Sequence, residues 1–303
     1  LTSIYVEEGN LNFSSIDGIL FNSDNTLVQY PGKYTSGSDI TGTTYTIPST
    51  CTSIGSSSFR SISILQELTI PASVGSIGQQ AFQAGAGNKL NTVIFEAGSL
   101  LQSIGNFAFI GATKLHTFPI PSSVTSIGPY AFKETKLTSV TIPAGLGSIQ
   151  QHTFNGITTL AEVIFEAGSV CTSIGVEAFY GCSSPGFTSI TIPATVSSIG
   201  YQAFRSAANL KTVILESESV LATIGQNAFF STSLSTIYAP ISVLTTFGWT
   251  VSRTYTIGNK TNVTVYGEGL TVFYTATSNV FVDIVGTLNS TDLPFAVGSI
   301  TQV

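Results

Sequence analysis

His116 and His152 are the two histidines of the chain, and Cys51, Cys171 and Cys182 its three cysteines. A metal centre gathers several such side chains into one coordination sphere, and a nucleophilic site needs a base beside its Ser or Cys. The histidines stand far apart with no Cys or Asp at ligand spacing, so both are read as surface residues. No glycine-rich phosphate loop, paired catalytic acids or Ser/His/Asp arrangement stands out, and neither an enzyme nor a cofactor is expected. The groups that could still act together are Glu96, Glu166 and Glu216, a recurring carboxylate that hints at calcium, and the cysteines. Whether they meet depends on the elements that carry them.

Those elements repeat. The phrase "SIG" followed by "AF" or a close variant recurs at Ile54/Phe59, Ile77/Phe82, Ile104/Phe109, Ile127/Phe132, Ile149/Phe154, Ile174/Phe179, Ile199/Phe204 and Ile224/Phe229, always five residues from Ile to Phe. Successive copies are 22 to 27 residues apart, the range in which one supersecondary unit stacks on the next. Each copy also carries an L-x-x-V-x-I phrase such as Leu137, Val140 and Ile142. Its last two apolar residues are two apart, so both point to one face of a strand and into the core. Proline then ends the strand in the "IP" copies, whereas the "IFEAGS" and "ILESES" copies have a longer loop. The "SIG" Ile and the Phe return to the core from the other side, with the Phe expected on a short helical turn. Burying each Phe is worth about 1.5 to 3 kcal/mol only when a neighbouring repeat covers it.

Stacking bears on both groupings. Cys51 and Cys171 occupy equivalent positions five repeats apart, about 24 Å at the strand spacing, whereas a disulfide needs Cα atoms within about 7 Å. Cys182 falls at a small-residue position and is read as a buried thiol, with a bridge to Cys171 left open. Glu96, Glu166 and Glu216 come out about 14 and 10 Å apart, too far to share an ion, and are read as solvated loop acids.

At these phrases the chain resembles the BspA-like leucine-rich repeat family, whose repeats share the strand, "SIG", "AF" and "IP" wording. The resemblance implies a repeat solenoid, a β-rich array of about eight to nine repeats of 22 to 27 residues. The segment "GILFN" and "TLVQYP" resembles the family's hairpin insert, with its turn at Ser23 to Asn25. The family also implies a cell-surface protein that adheres to host proteins, surfaces or other cells.

Composition is consistent with this. Only 9% of residues are charged, against about 25% in an average domain, while 43% are hydrophobic. No apolar run approaches the about 20 residues that cross a bilayer, so the mean hydropathy of +0.37 is read as many short buried strands. A net charge of −6 with ten Lys and Arg argues against nucleic acid and anionic membranes. The chain opens at Leu1 without Met, and the expectation is a processed or excerpted protein that is extracellular or cell-surface. Sequons at Asn12, Asn259, Asn262 and Asn289 are candidate glycosylation sites that fit export.

Three regions are expected: 1–48 with a repeat strand and the hairpin, 49–242 as the solenoid, and 243–303 as a C-terminal all-β cap or small domain. Thr245 to Gly248 aligns with "TSIG" but no "AF" follows, so the ninth repeat fails there. At the other end Leu1, Ile4 and Val6 match the strand phrase and form a candidate assembly edge. That edge belongs to an excerpt of a longer array, or is covered by the C-terminal region of an identical neighbour in a head-to-tail fibre, or is capped by something else. The residue between the two inward apolar positions faces outward, which makes Thr69, Ile94, Thr141, Ile164, Thr191, Ile214 and Tyr238 the candidate binding face. The partners expected are a second copy of the chain, or a host or cell-surface protein or glycan. The alternative to a structural, adhesive protein is a monomeric ectodomain that binds its ligand on this sheet.

Overall fold

The structure is a computed structural model that describes residues 3–31 and 43–248 and the strands Thr254–Ile257, Lys260–Gly267, Thr271–Tyr274 and Val280–Asp283. It is a β-solenoid in which the two sequence phrases build two parallel ladders. Strands such as Glu67–Ile70, Ser139–Ile142 and Ser189–Ile192 come from the first phrase, and two-residue strands such as Ser53–Ile54, Ser76–Ile77 and Ser198–Ile199 come from "SIG". Equivalent residues pair across repeats, with Ile54 against Ile77 and Val140 against Val163.

Between the ladders lies a stack of rings running from Tyr30 through Phe59, Phe82, Phe109, Phe132, Phe154, Phe179 and Phe204 to Phe229. Successive centroids are 4.8 to 5.7 Å apart from Phe59 onward, and the rings are nearly parallel. Each contact adds about 0.5 to 1.5 kcal/mol to the burial of the rings.

The turn around each Phe differs from the helical turn expected. The residue two before every Phe has left-handed backbone, with φ of 52° to 61° at Ser57, Gln80, Phe107, Tyr130, His152, Glu177, Gln202 and Asn227. That conformation stops a helix from propagating. From Phe59 to Phe204 it lets the Phe N–H reach across to the next repeat instead, as Phe82 does to Ala108 O at 2.7 Å and Phe204 to Ala228 O at 2.8 Å. The turns therefore form a third ladder.

Where ladders stop, a residue explains it. The expected strand at Leu115–Ile120 does not form, since Pro119 has no N–H to donate, although Phe118 and Ile120 remain buried. His116, expected on that strand, lies on an exposed loop. Thr188 N–H turns back to Gly186 O at 2.8 Å, and the strands Glu162–Phe165 and Ser189–Ile192 fall in different sheets. In the "SIG" ladder a Cβ on the glycine would lie 2.6 Å from Ser56 N at Gly78 and 2.7 Å from Gly175 C at Gly200. Gln150 holds this position in one copy, and there the first sheet ends at Ser126–Ile127 while Ile149 keeps a single bridge to Ile174.

The N-terminal hairpin forms as expected, with Ile19–Asn22 antiparallel to Thr26–Gln29. It is also more than an insert. Leu27 pairs with Ile54 in the place of a "SIG" Ile, and Tyr30 opens the ring stack 4.9 Å from Phe59. A further strand, Phe13–Ile16, joins it through a tight turn in which Asp17 and Gly18 have φ of 51° and 78°.

Ile4 and Val6 form no strand, contrary to the phrase match. Ile4 N–H is bonded to Gly18 O at 2.8 Å and Val6 N–H to Ser15 Oγ at 3.1 Å, which commits both to the hairpin; Leu1 lies outside the described residues. The strand that opens the outer ladder is Thr44–Thr46, paired with Glu67–Ile70. At the far end, the failed ninth repeat is a helix, Ile241–Phe247, closed by Gly248 with φ 63°. Its Val243 is buried in the core, and Lys260–Gly267 pairs in parallel with Thr236–Ala239.

Candidate functional site

Two surfaces run along the solenoid. On the strand side the period of two turns alternate residues outward, and Ile94, Ile164 and Ile214 are 41%, 45% and 37% exposed. Thr141 and Thr191 are exposed, whereas Thr69 and Tyr238 are half-buried. Pairing puts Thr69 beside Ile94, Thr141 beside Ile164, and Thr191, Ile214 and Tyr238 in one row. The face is thus three short platforms, not one regular array, since the sheets divide on either side of Ser139–Ile142 and Glu162–Phe165.

The second surface follows the left-handed turn positions. Phe107 stacks on Tyr130 at 4.7 Å and Tyr130 on His152 at 4.4 Å. His152 Nδ1 is 3.4 Å from Glu177 Oε2. Gln202, with its amide oriented to satisfy every partner, donates to Glu177 Oε1 at 3.2 Å and accepts from the Tyr201 hydroxyl and Arg205. The Arg205 guanidinium lies between the rings of Tyr180 and Phe230, at 6.0 and 5.3 Å. Burial lowers the His152 pKa, while the Glu177 carboxylate acts in the opposite direction. This row escaped sequence reading because positions two and three before each Phe carry no shared residue type.

The other candidates resolve into structure. Glu166 Oε2 accepts the N–H of Ala144 at 2.9 Å and Glu216 Oε2 that of Ala194 at 3.0 Å, with Glu96 and Ala72 in the same relation at 3.3 Å. These acids tie each "IFE" or "ILE" repeat to the "IPA" repeat before it and are not merely solvated. Cys51, Cys171 and Cys182 are buried free thiols, so Cys171 and Cys182 are not bridged. Burial raises all three pKa values, that of Cys182 to about 12, which leaves little thiolate for chemistry. Among the described residues no three His, Cys, Asp or Glu converge on a metal position, and no helix is long and apolar enough to cross a membrane. Asn12 is exposed and Asn262 lies on the Lys260–Gly267 strand, while Asn259 and Asn289 fall outside the described residues.

A leucine rich cell surface protein from Faecalibacterium prausnitzii A2-165 has a similar structure, with TM-score 0.56 and 20% identity over 87% of this chain and 96% of that one. A leucine-rich repeat protein from Eubacterium ventriosum gives TM-score 0.53 and 23% identity over 78% of this chain and 54% of that one. At these identities the likeness shows the fold. No curated protein matches in sequence. Six copies of the BspA type leucine rich repeat region match residues 38–160 and 125–251, and the chain belongs to that family.

Proposed function

We propose that this chain is a non-enzymatic, surface-displayed adhesive protein whose strand-side platforms contact a protein or glycan on another cell or matrix. The carrying observation is the exposure of Ile94, Ile164 and Ile214 on sheet whose inward neighbours Val93, Val163 and Val213 are 3%, 8% and 1% exposed. Isoleucines held on rigid sheet, one on each platform, offer apolar contact with no ordering of the binder. The Faecalibacterium neighbour, described as a cell surface protein, supports the placement.

Assembly of that adhesive protein head to tail into a fibre is less favoured. Lys260–Gly267 already covers the edge of Thr236–Ala239 within the same chain. The test is adhesion of beads bearing the purified chain to matrix proteins and glycan arrays, compared with an Ile164→Glu/Ile214→Glu variant. Both side chains face solvent, so the variant is expected to keep the β circular dichroism of the chain while its adhesion falls by about tenfold or more. Undiminished adhesion would remove the strand side as the contact surface.

A further inference from the structure

Leu65, Leu90 and Leu115 are buried at 2%, 2% and 0% exposure, while the residues on either side of Leu90 and Leu115 are exposed and Gln66, after Leu65, is half-buried. In two successive repeats those neighbours are polar: Lys89 and Asn91, then Lys114 and His116. With Gln66 of the repeat before, they line an open depression of about 360 Å³. The chain has sixteen acids against ten Lys and Arg, yet none of the five residues lining this depression is acidic.

The hydrogen bonds set the sense of the site. Asn91 Oδ1 accepts from Thr92 Oγ1 at 2.7 Å, which leaves the amide NH₂ to donate elsewhere. His116 Nδ1 lies 2.7 Å from Lys114 O. A carbonyl only accepts, so Nδ1 carries the proton and Nε2 remains for a ligand. The ion pairs among the described residues are Lys133 with Glu134 and His152 with Glu177, so neither Lys89 nor Lys114 is neutralised by one. Lys136, next in the column, donates to Thr158 Oγ1 at 2.8 Å and ends the row. Two ammonium groups one repeat apart repel each other, and an anion placed between them removes that repulsion.

We propose that this depression binds an acidic sugar. Its carboxylate is held by Lys89 and Lys114, and its hydroxyls by Asn91, Gln66 and His116 Nε2. A sugar fits better than a bare anion because the Asn91 and Gln66 amides and the His116 ring offer hydrogen-bonding groups suited to ring hydroxyls. A nucleic acid fits poorly, since two cations on a chain of net charge −6 neutralise few phosphates. The site lies beside the strand-side platforms and does not depend on the adhesive role proposed for them.

The test is titration of the full chain with galacturonic acid in low salt, followed by ligand-observed NMR and calorimetry. Galactose, which lacks the carboxylate, and acetate, which lacks the ring, are titrated in parallel. Saturable binding of galacturonate is expected, weaker binding of the other two, and weakening as salt is raised. Lys89→Glu and Lys114→Glu should each reduce affinity by about tenfold or more, whereas Lys114→Arg retains binding. Both lysines are exposed, and unchanged circular dichroism of the variants verifies their fold. No binding of galacturonate, indifference to both charge reversals, or galactose binding equally well would overturn the proposal. Acetate binding as tightly as galacturonate would overturn the sugar assignment, because the ring would then contribute nothing.

Discussion

At His152 one ring nitrogen has two partners. Nδ1 is 3.2 Å from Asn155 Nδ2, a donor, and 3.4 Å from Glu177 Oε2, an acceptor. The neutral ring accepts from Asn155, and the protonated ring donates to Glu177. Burial lowers the pKa and favours the neutral form in the fold. A group whose folded value lies below its unfolded value of about 6.5 stabilises above that pH and loses the contribution as pH falls through the folded value. Stability is therefore expected to decline on acidification below about pH 6.5, with part of the slope due to His152. Gln already occupies the equivalent turn at Gln80 and Gln202, so His152→Gln should keep the fold and flatten that part of the profile. Denaturant unfolding of both proteins across this pH range measures the difference; superimposable profiles would exclude the contribution.

The elements hold together by close backbone approach as much as by side-chain burial. At Gly200 a Cβ would sit 2.7 Å from Gly175 C and 2.8 Å from Val176 N, and neither backbone atom can move without disturbing the ladder. Gly200→Ala is expected to destabilise by about 2 kcal/mol, as overpacking does. Gly147→Ala meets nothing within 4 Å and should be neutral or stabilising by about 0.5 kcal/mol. Urea denaturation of the two variants decides this, and equal effects would discount the clash. Much of this level was legible in the sequence. Ile and Phe at fixed spacing identified the inward positions, and Ile94 and Ile164 followed as outward ones from the strand period. The left-handed turns were not legible, because Ser57, Phe107 and Glu177 share no side-chain signal for a conformation usually marked by glycine. Thr44–Thr46 is hard to read because Gly42 and Tyr45 stand where the phrase has Leu and Val, although Ile47 and Pro48 follow as usual. The Lys89 and Lys114 depression was hidden for another reason: its residues come from three repeats, and only the stacking register brings them together.

For the whole molecule, each repeat is stabilised by its neighbours, so the ends decide how the rod behaves in solution. The N-terminal hairpin extends the "SIG" ladder through Leu27 and the ring stack through Tyr30. The C-terminal segment closes both sides at once. The helix Ile241–Phe247 covers the core with Val243, Leu244 and Phe247, and Lys260–Gly267 pairs with the last outer strand, Thr236–Ala239. Ending the chain after Ala239 removes both closures and leaves a parallel edge open, a template for pairing with another chain. The truncated protein is expected to keep its β circular dichroism, since the upstream repeats still cover one another, but to associate as concentration rises. Size-exclusion chromatography with light scattering checks this: the full chain should elute with one mass across the range, and the truncated chain with a growing one. A full chain that associates as readily would mean that Lys260–Gly267 does not protect the edge, and the fibre would then become the better account of the rod.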